Sequence, residues 1–384
     1  MKNIFFALLS NTKWKITQLA FFLNVTSSLF FTMWMMKLGF SEKDVIGAFC
    51  IVYSLASAPL FFKRYSFVAR KFLYLSSASL LTVVTLFPDY VIFPLSAFIA
   101  AIQIARDLLI AEVSDVYARV SDSLTIDIRK IIATTVAVGG GVMCVASPMV
   151  GYLSSISPNL YFVALSALGC VVAGSLGNNE TSFCLPSRVT FDFHMFCVIS
   201  MGGSVCRYFI RFFMLPSVVL LFGQKIGLEG WGFALMGGVG AFLGVVGFVR
   251  FKTDKTGRIS YYVPLFSVLF LSLFISSVVM YERYSSFLTV AAIISYILFE
   301  VASKFWLVNQ ATRLKEYAYS GVNDKTSVYS TFSKYRIAGG VVGFASAFLL
   351  YGIVDVEIGV IVSIFSIVFC TFAIVIKKAK NVIY

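Results

Sequence analysis

A chain of 384 residues with 59% apolar side chains and only 13% charged ones is not an ordinary soluble domain, in which about a quarter of residues are charged. Forty Phe against eight Pro, and a mean hydropathy of +0.90, fit long helices facing lipid. The formal charge of +13 would suggest nucleic acid or an anionic surface, but the placement of Lys and Arg explains it better.

A spanning helix needs about 20 apolar residues to cross ~30 Å of hydrocarbon. The N-terminal MKNIFFALLSNTKWK has an apolar run of only six residues, Ile4 to Leu9, and no small-residue cleavage site. It does not read as a signal peptide. Twelve spanning stretches then follow in order, near 14–38, 44–62, 72–88, 91–113, 131–154, 159–176, 194–221, 229–249, 260–280, 284–304, 332–352 and 354–376. Pro88-Asp89-Tyr90 breaks the third from the fourth.

Orientation follows from Lys and Arg in the short loops. One set of helix ends carries 24 of them, from Lys2, Lys13 and Lys15 through Lys304, Arg313, Lys315 and Arg336 to Lys377, Lys378 and Lys380. The opposite ends carry four: Lys37, Lys43, Lys225 and Arg283. The asymmetry predicts that both termini are cytoplasmic in a multi-pass protein of the inner membrane.

The chain also repeats itself. Residues 140–147 read GGVMCVAS and residues 339–346 read GGVVGFAS, five identities in eight at an offset of 199. Lys63-Arg64-Tyr65-Ser66 recurs as the basic turn Asp254-Lys255-Thr256-Gly257-Arg258. Offsets near half the chain length predict two parallel six-helix halves, which transporters rock against each other. The expected division is an N-terminal half at 1–176, a cytoplasmic linker at 177–193 and a C-terminal half at 194–384.

Chemistry-bearing patterns are scarce. Seven cysteines without a C-x-x-C pair exclude a thiolate metal site and a disulfide framework. His194 is the single histidine, so no H-E-x-x-H exists, and no P-loop precedes a Lys-Ser/Thr pair. The sequence therefore predicts no enzyme, no cofactor, no metal and no nucleic-acid partner.

Charges inside spans are costly and mark function. Arg207 and Arg211 lie four residues apart on the seventh span, hence on one face, with no carboxylate of that helix at i±3 or i±4. Two guanidiniums facing a cavity would hold an anionic substrate, since Arg makes bidentate contacts with carboxylate or phosphate. A structural ion pair with another helix is the competing reading. Asp107, beside Arg106, and Glu300 occupy equivalent depths in the fourth and tenth spans. They are candidates for carrying a coupled proton, or for holding gates through basic neighbours such as Lys304.

Three local features resemble the major facilitator superfamily. Asp254-Lys255-x-Gly257-Arg258 looks like that family's D-R/K-x-G-R loop signature, with a degenerate first copy at Lys63 to Ser66. Gly139-Gly140-Gly141 followed by Ala146-Ser147-Pro148-Met149-Val150-Gly151 is similar to the G-P-x-x-G-G element of family exporters. Ile110-Ala111-Glu112 ends the fourth span with an acidic residue, as family members do. The resemblance implies an all-α membrane protein of twelve transmembrane helices in two six-helix halves. It further implies a monomeric secondary transporter, an antiporter moving a small amphipathic compound outward against protons or another ion. Asp254, Lys255, Gly257, Arg258 and Glu112 would gate it, and Gly140, Gly141, Pro148, Gly151, Gly339 and Gly340 would pack its helices. The alternatives are an importer of a small anionic solute, a lipid-linked glycan flippase of another twelve-helix fold, and a membrane-embedded transferase.

Overall fold

The computed structural model describes residues 2–57, 65–87, 90–176, 190–205, 208, 238–240, 242–243, 287–319 and 325–351. These residues form helices joined by short connectors. The helices are α1 (Lys2–Leu9), α2 (Thr12–Lys37), α3 (Glu42–Ser57), α4 (Tyr65–Leu86) and α5 (Ile92–Leu124). They continue with α6 (Ile128–Ile156), α7 (Pro158–Ser175), α8 (Phe191–Val205), α9 (Phe287–Tyr319) and α10 (Lys325–Tyr351).

Helices α2 to α10 fall on nine of the predicted spans. The span at 229–249 is described only at residues 238–240 and 242–243, which are helical. The spans at 260–280 and 354–376 lie outside the described residues. Among the described residues, Phe67–Leu86, Ile92–Leu124, Ile128–Val145 and Pro158–Ser175 are long and apolar enough to cross a membrane. Helices α5 and α9 run well past their predicted ends at 113 and 304. Hydropathy stops where charged residues begin, but Glu, Arg, Lys, Leu and Ala keep the backbone helical.

Local chemistry sets the breaks. After α2, Gly39 adopts φ +85, and the Leu38 and Phe40 amides donate to the Trp34 and Met35 carbonyls at 3.0 and 3.1 Å. This is a Schellman-type end, in which a left-handed residue satisfies the last carbonyls. Ser41 and Asp44 then form a capping box for α3: the Ser41 amide and hydroxyl donate to Asp44 Oδ2 at 3.0 and 2.6 Å, and the Asp44 amide donates back to Ser41 Oγ. Helix α5 closes on Thr125 at φ +50, and the Asp127 carboxylate caps α6 by accepting from the Arg129 amide at 2.8 Å.

Large apolar side chains stand on the outside as well as in the core. Phe93, Leu75, Val145 and Leu349 stand on the outside, each about two-thirds exposed or more, while Asn24, Thr26, Ser27, Ser77, Gln103, Asp107 and Glu300 are buried. Apolar side chains facing lipid gain nothing by packing together, so close backbone approach and hydrogen bonds must hold the helices. Gly169 on α7 illustrates this: a Cβ there would lie 2.5 Å from both the Phe98 ring of α5 and Ser77 Oγ of α4. Across the α2–α7 contact, Phe30 packs edge-on to Phe162 at 4.9 Å and tilted against Tyr161 at 4.7 Å.

The early helices pack as one group, with α2 against α5, α6 and α7, and α4 against α5 and α7. The late helices α8, α9 and α10 meet through Phe193, Phe196, Leu314, Val328 and Phe332. Among the described residues, the early and late groups pack most extensively where α3 meets α10 and where α6 meets α9.

Candidate functional site

Gln103, Arg106 and Asp107 stand at i, i+3 and i+4 on α5, so they share one face. That face looks across the seam to α10, and Asp107 lies near the middle of the 33-residue helix. The Asp107 side chain is only 4% exposed and pairs through Oδ1 with the guanidinium of Arg336 on α10. Gln103 Nε2 donates to both carboxylate oxygens, at 3.3 and 3.4 Å. Arg106 lies 3.6 Å from the same Oδ1, and its Nη1 donates to Asn24 Oδ1 of α2 at 3.2 Å. Three helices thus converge on one buried polar knot.

Aromatic side chains extend the knot along the α3–α10 seam. Phe344 of α10 meets Tyr53 at 4.4 Å, Tyr208 at 5.4 Å and Phe49 at 6.4 Å. Tyr53 and Tyr208 lie within electrostatic reach of Arg336. Toward the end of α3 nearest Gly39, Gly47 sits under the Phe348 ring, 3.0 Å from where its Cβ would be, and the Lys43 ammonium stands 5.4 Å from the same ring.

A second set of contacts joins early and late helices at the end of the bundle where α1 lies. Arg129 of α6 and Arg313 of α9 both reach Glu316, at 3.3 and 2.7 Å. The Tyr319 hydroxyl donates to Asp115 Oδ1 at 2.9 Å. Lys315 is 5% exposed; its Nζ donates to the Ser114 carbonyl at 3.4 Å and stands 4.0 Å from the Tyr117 ring. Carbonyl and ring face both favour an ammonium, but burial outweighs them and pulls the Lys315 pKa down to about 6. Glu112 pairs with Lys13 of α2 at 2.9 Å, an exposed contact beside the same end.

The residues expected from sequence are distributed as follows. Arg106 and Asp107 enter the central knot. Glu300 of α9 is 3% exposed, and Gly240 fits against it so closely that a Cβ there would lie 2.7 Å from Glu300 Cβ. Gly339 of α10 lies against α8, its missing Cβ 2.6 Å from the Met201 carbonyl, and Gly340 lies against the Tyr208 ring. The Gly140 carbonyl is 3.0 Å from where a Gly238 Cβ would stand, whereas a Cβ at Gly141 would meet nothing within 4 Å among the described residues. Pro148 and Gly151 fall near the end of α6, where the backbone alone is described. Arg207, Arg211, Asp254, Lys255, Gly257 and Arg258 lie outside the described residues. His194 of α8 packs edge-on to Tyr335 at 6.3 Å.

Arg336 is the residue that sequence reasoning misplaced. Counted there as a cation of the helix ends, it is folded into the seam as the partner of Asp107. The available signal was position: it stands immediately before Ile337 and the apolar run, inside the predicted span at 332–352. Asn24 and Gln103 were also missed, because a single amide in an apolar span leaves hydropathy almost unchanged.

The whole-chain arrangement is similar to three solved transporter structures. The human organic anion transporter MFSD10 matches with a TM-score of 0.57 at 11% identity, covering 97% of this chain and 100% of that one. The nucleoside transporter NupG matches at 0.56 and 12%, with the same coverage. The fold is that of a major facilitator transporter. The E. coli fucose:proton symporter FucP agrees, at 0.53 and 13% over 95% of this chain and 97% of that one. No protein-family model matches the sequence and no curated protein is similar to it in sequence, so the likeness is one of major facilitator fold alone. That fold and the outward-facing apolar side chains make this a multi-pass membrane protein.

Proposed function

We propose that this chain is a secondary active transporter of the inner membrane, exporting a small amphipathic, anionic compound in exchange for protons. The single observation that supports it best is the buried Asp107–Arg336 pair, a titratable contact joining the early helices to the late ones. A carboxylate that binds a cation across a seam has two states. Ionised, it holds α5 to α10; protonated, it releases Arg336 and lets the groups separate. Proton uptake is thereby linked to the opening of one seam, which is what exchange of a proton for a solute requires.

Two of the similar structures lend support: one is an organic anion transporter, which favours an anionic substrate, and another a fucose:proton symporter, which favours proton coupling but not its direction. In this reading Arg207 and Arg211 contact substrate, while Asp107, Arg106 and Glu300 couple the proton. Glu112 and the Asp254-Lys255-x-Gly257-Arg258 turn gate the cytoplasmic side, and the protein acts as a monomer with both termini cytoplasmic. The divisions at 1–176 and 194–384 are its two moving halves.

The test is flux in proteoliposomes under an imposed pH gradient. Accumulation of an organic anion driven by the gradient, and abolished by collapsing it, supports the proposal. Gradient-insensitive movement would remove proton coupling, and absence of any flux across a broad anion set would remove transport.

A further inference from the structure

Among the described residues, the charged members of the central knot are Arg106 and Arg336 against Asp107, a net of one positive charge. Gln103 adds no charge, and Asn24 already uses its Oδ1 on Arg106. A net cation held at mid-bundle is costly in a bilayer, so an anion is the natural complement.

Hydrogen bonding points the same way. Asn24 Nδ2 and Arg106 Nε are buried donors without an acceptor among the described residues, and Gln103 Oε1 is an acceptor without a donor. The amide orientations are fixed by chemistry: Gln103 must turn its NH2 to the Asp107 carboxylate, and Asn24 must turn its oxygen to Arg106. Buried orphan donors are costly, and each one a native structure retains marks a role, a water or a bound group. Accessibility shows where that would enter. The Arg336 side chain keeps 24% of its surface open and Arg106 13%, although Asp107 is almost closed off. Beside them stand the rings of Tyr53, Tyr208 and Phe344.

We propose that Asn24, Arg106 and Arg336 form a subsite for the carboxylate of an amphipathic aromatic anion, with the Tyr53–Tyr208–Phe344 cluster holding its ring. Two guanidiniums and an amide supply donors in the planar pattern that a carboxylate accepts. Gln103 Oε1 is left for a polar hydrogen of the same ligand. The substrate carboxylate and Asp107 then compete for Arg336, so each weakens the other's hold on it. The subsite rests on the transporter reading and adds a substrate class and a place to it.

The test is binding by the full-length chain in detergent, read by thermal shift. Benzoate and indole-3-acetate are the probes, with benzamide and indole-3-acetamide as matched neutral controls. Both acids should raise Tm and both amides should leave it unchanged. Arg106→Gln should weaken the apparent affinity for the acids about tenfold or more, as loss of a charged hydrogen bond does. Asn24→Ala, a milder change, should weaken it severalfold and keeps the test open should the arginine variant misfold. Asp107→Asn should bind the acids more tightly than the natural chain, a result that general loss of structure cannot produce. Equal shifts from acids and amides, or undiminished acid binding in both Arg106→Gln and Asn24→Ala, would overturn the subsite. Because binding is read without flux, acid binding in a chain that moves no anion would sink the transporter reading and keep the subsite.

Discussion

The carboxylate of Asp107, halfway along α5, is held by the guanidinium of Arg336 on α10, so one buried ion pair ties the early helices to the late ones. Removing one partner of such a pair leaves the other charge uncompensated, at a cost of about 3–5 kcal/mol when fully buried. Arg336 keeps a quarter of its side chain open, so Asp107→Asn should destabilise by the lower end of that range, roughly 3 kcal/mol or less. Arg336→Gln added to Asp107→Asn should recover part of the loss, because one uncompensated guanidinium, that of Arg106, then remains instead of two. In transport, Asp107→Asn should abolish uphill, gradient-driven flux and leave downhill exchange. Glu300→Gln provides the parallel measurement at the other buried carboxylate. Loss of both modes together would assign these residues a structural role.

Lys315 gives a pH dependence whose sign can be worked out. It lies on the part of α9 beyond the predicted span, and burial holds its pKa at about 6, below the ordinary lysine value. Between pH 6 and about 10.5 the unfolded chain binds this proton and the folded one does not, so this group makes stability rise with pH. The slope is at most about 1.4 kcal/mol per pH unit. Thermal unfolding in detergent should therefore show Tm falling from pH 9 to pH 6, and Lys315→Met should flatten the curve. An unchanged curve in that variant would mean the ammonium stays charged against Ser114 and Tyr117.

Glycines on the helix faces are not equivalent. An added methyl at Gly339 would press on the backbone carbonyl of Met201, 2.6 Å away, which cannot rotate aside. Gly339→Ala should force α10 from α8 and cost about 1–3 kcal/mol, as overpacking does. Gly141→Ala meets nothing within 4 Å among the described residues and removes a helix-destabilising residue, so it should be neutral or stabilising by up to about 1 kcal/mol. Paired melting curves decide it; a Gly339→Ala chain as stable as the natural one would refute the close approach.

Thr125 closes α5 in the left-handed region at φ +50, where a Cβ costs about 1–2 kcal/mol. Its hydroxyl recovers some of that by donating to the Leu124 carbonyl at 2.8 Å. Thr125→Gly should then raise stability by roughly 0.5–1 kcal/mol. A lowered Tm would show that the hydroxyl matters more than the strain.

The sequence by itself determined that the chain crosses a membrane as helices, where most of them lie, and that a few charges sit where lipid forbids them. Apolar length and the Lys/Arg asymmetry are local properties, written in consecutive residues, and a spanning helix satisfies its own backbone. It also singled out Arg106, Asp107 and Glu300, since a charge in an apolar run is visible without a fold. Tertiary structure alone decided the partners. Arg336 reads as one more basic residue near a helix end until α10 is laid against α5, and Lys315 looks solvated until Tyr117 and Ser114 close over it. Asn24 and Gln103 carry no charge to announce them; only their distances to Arg106 and Asp107 set them in the knot. Pairing across a seam depends on helix rotation and depth, and those are fixed by packing between segments far apart in the chain, which no local pattern records.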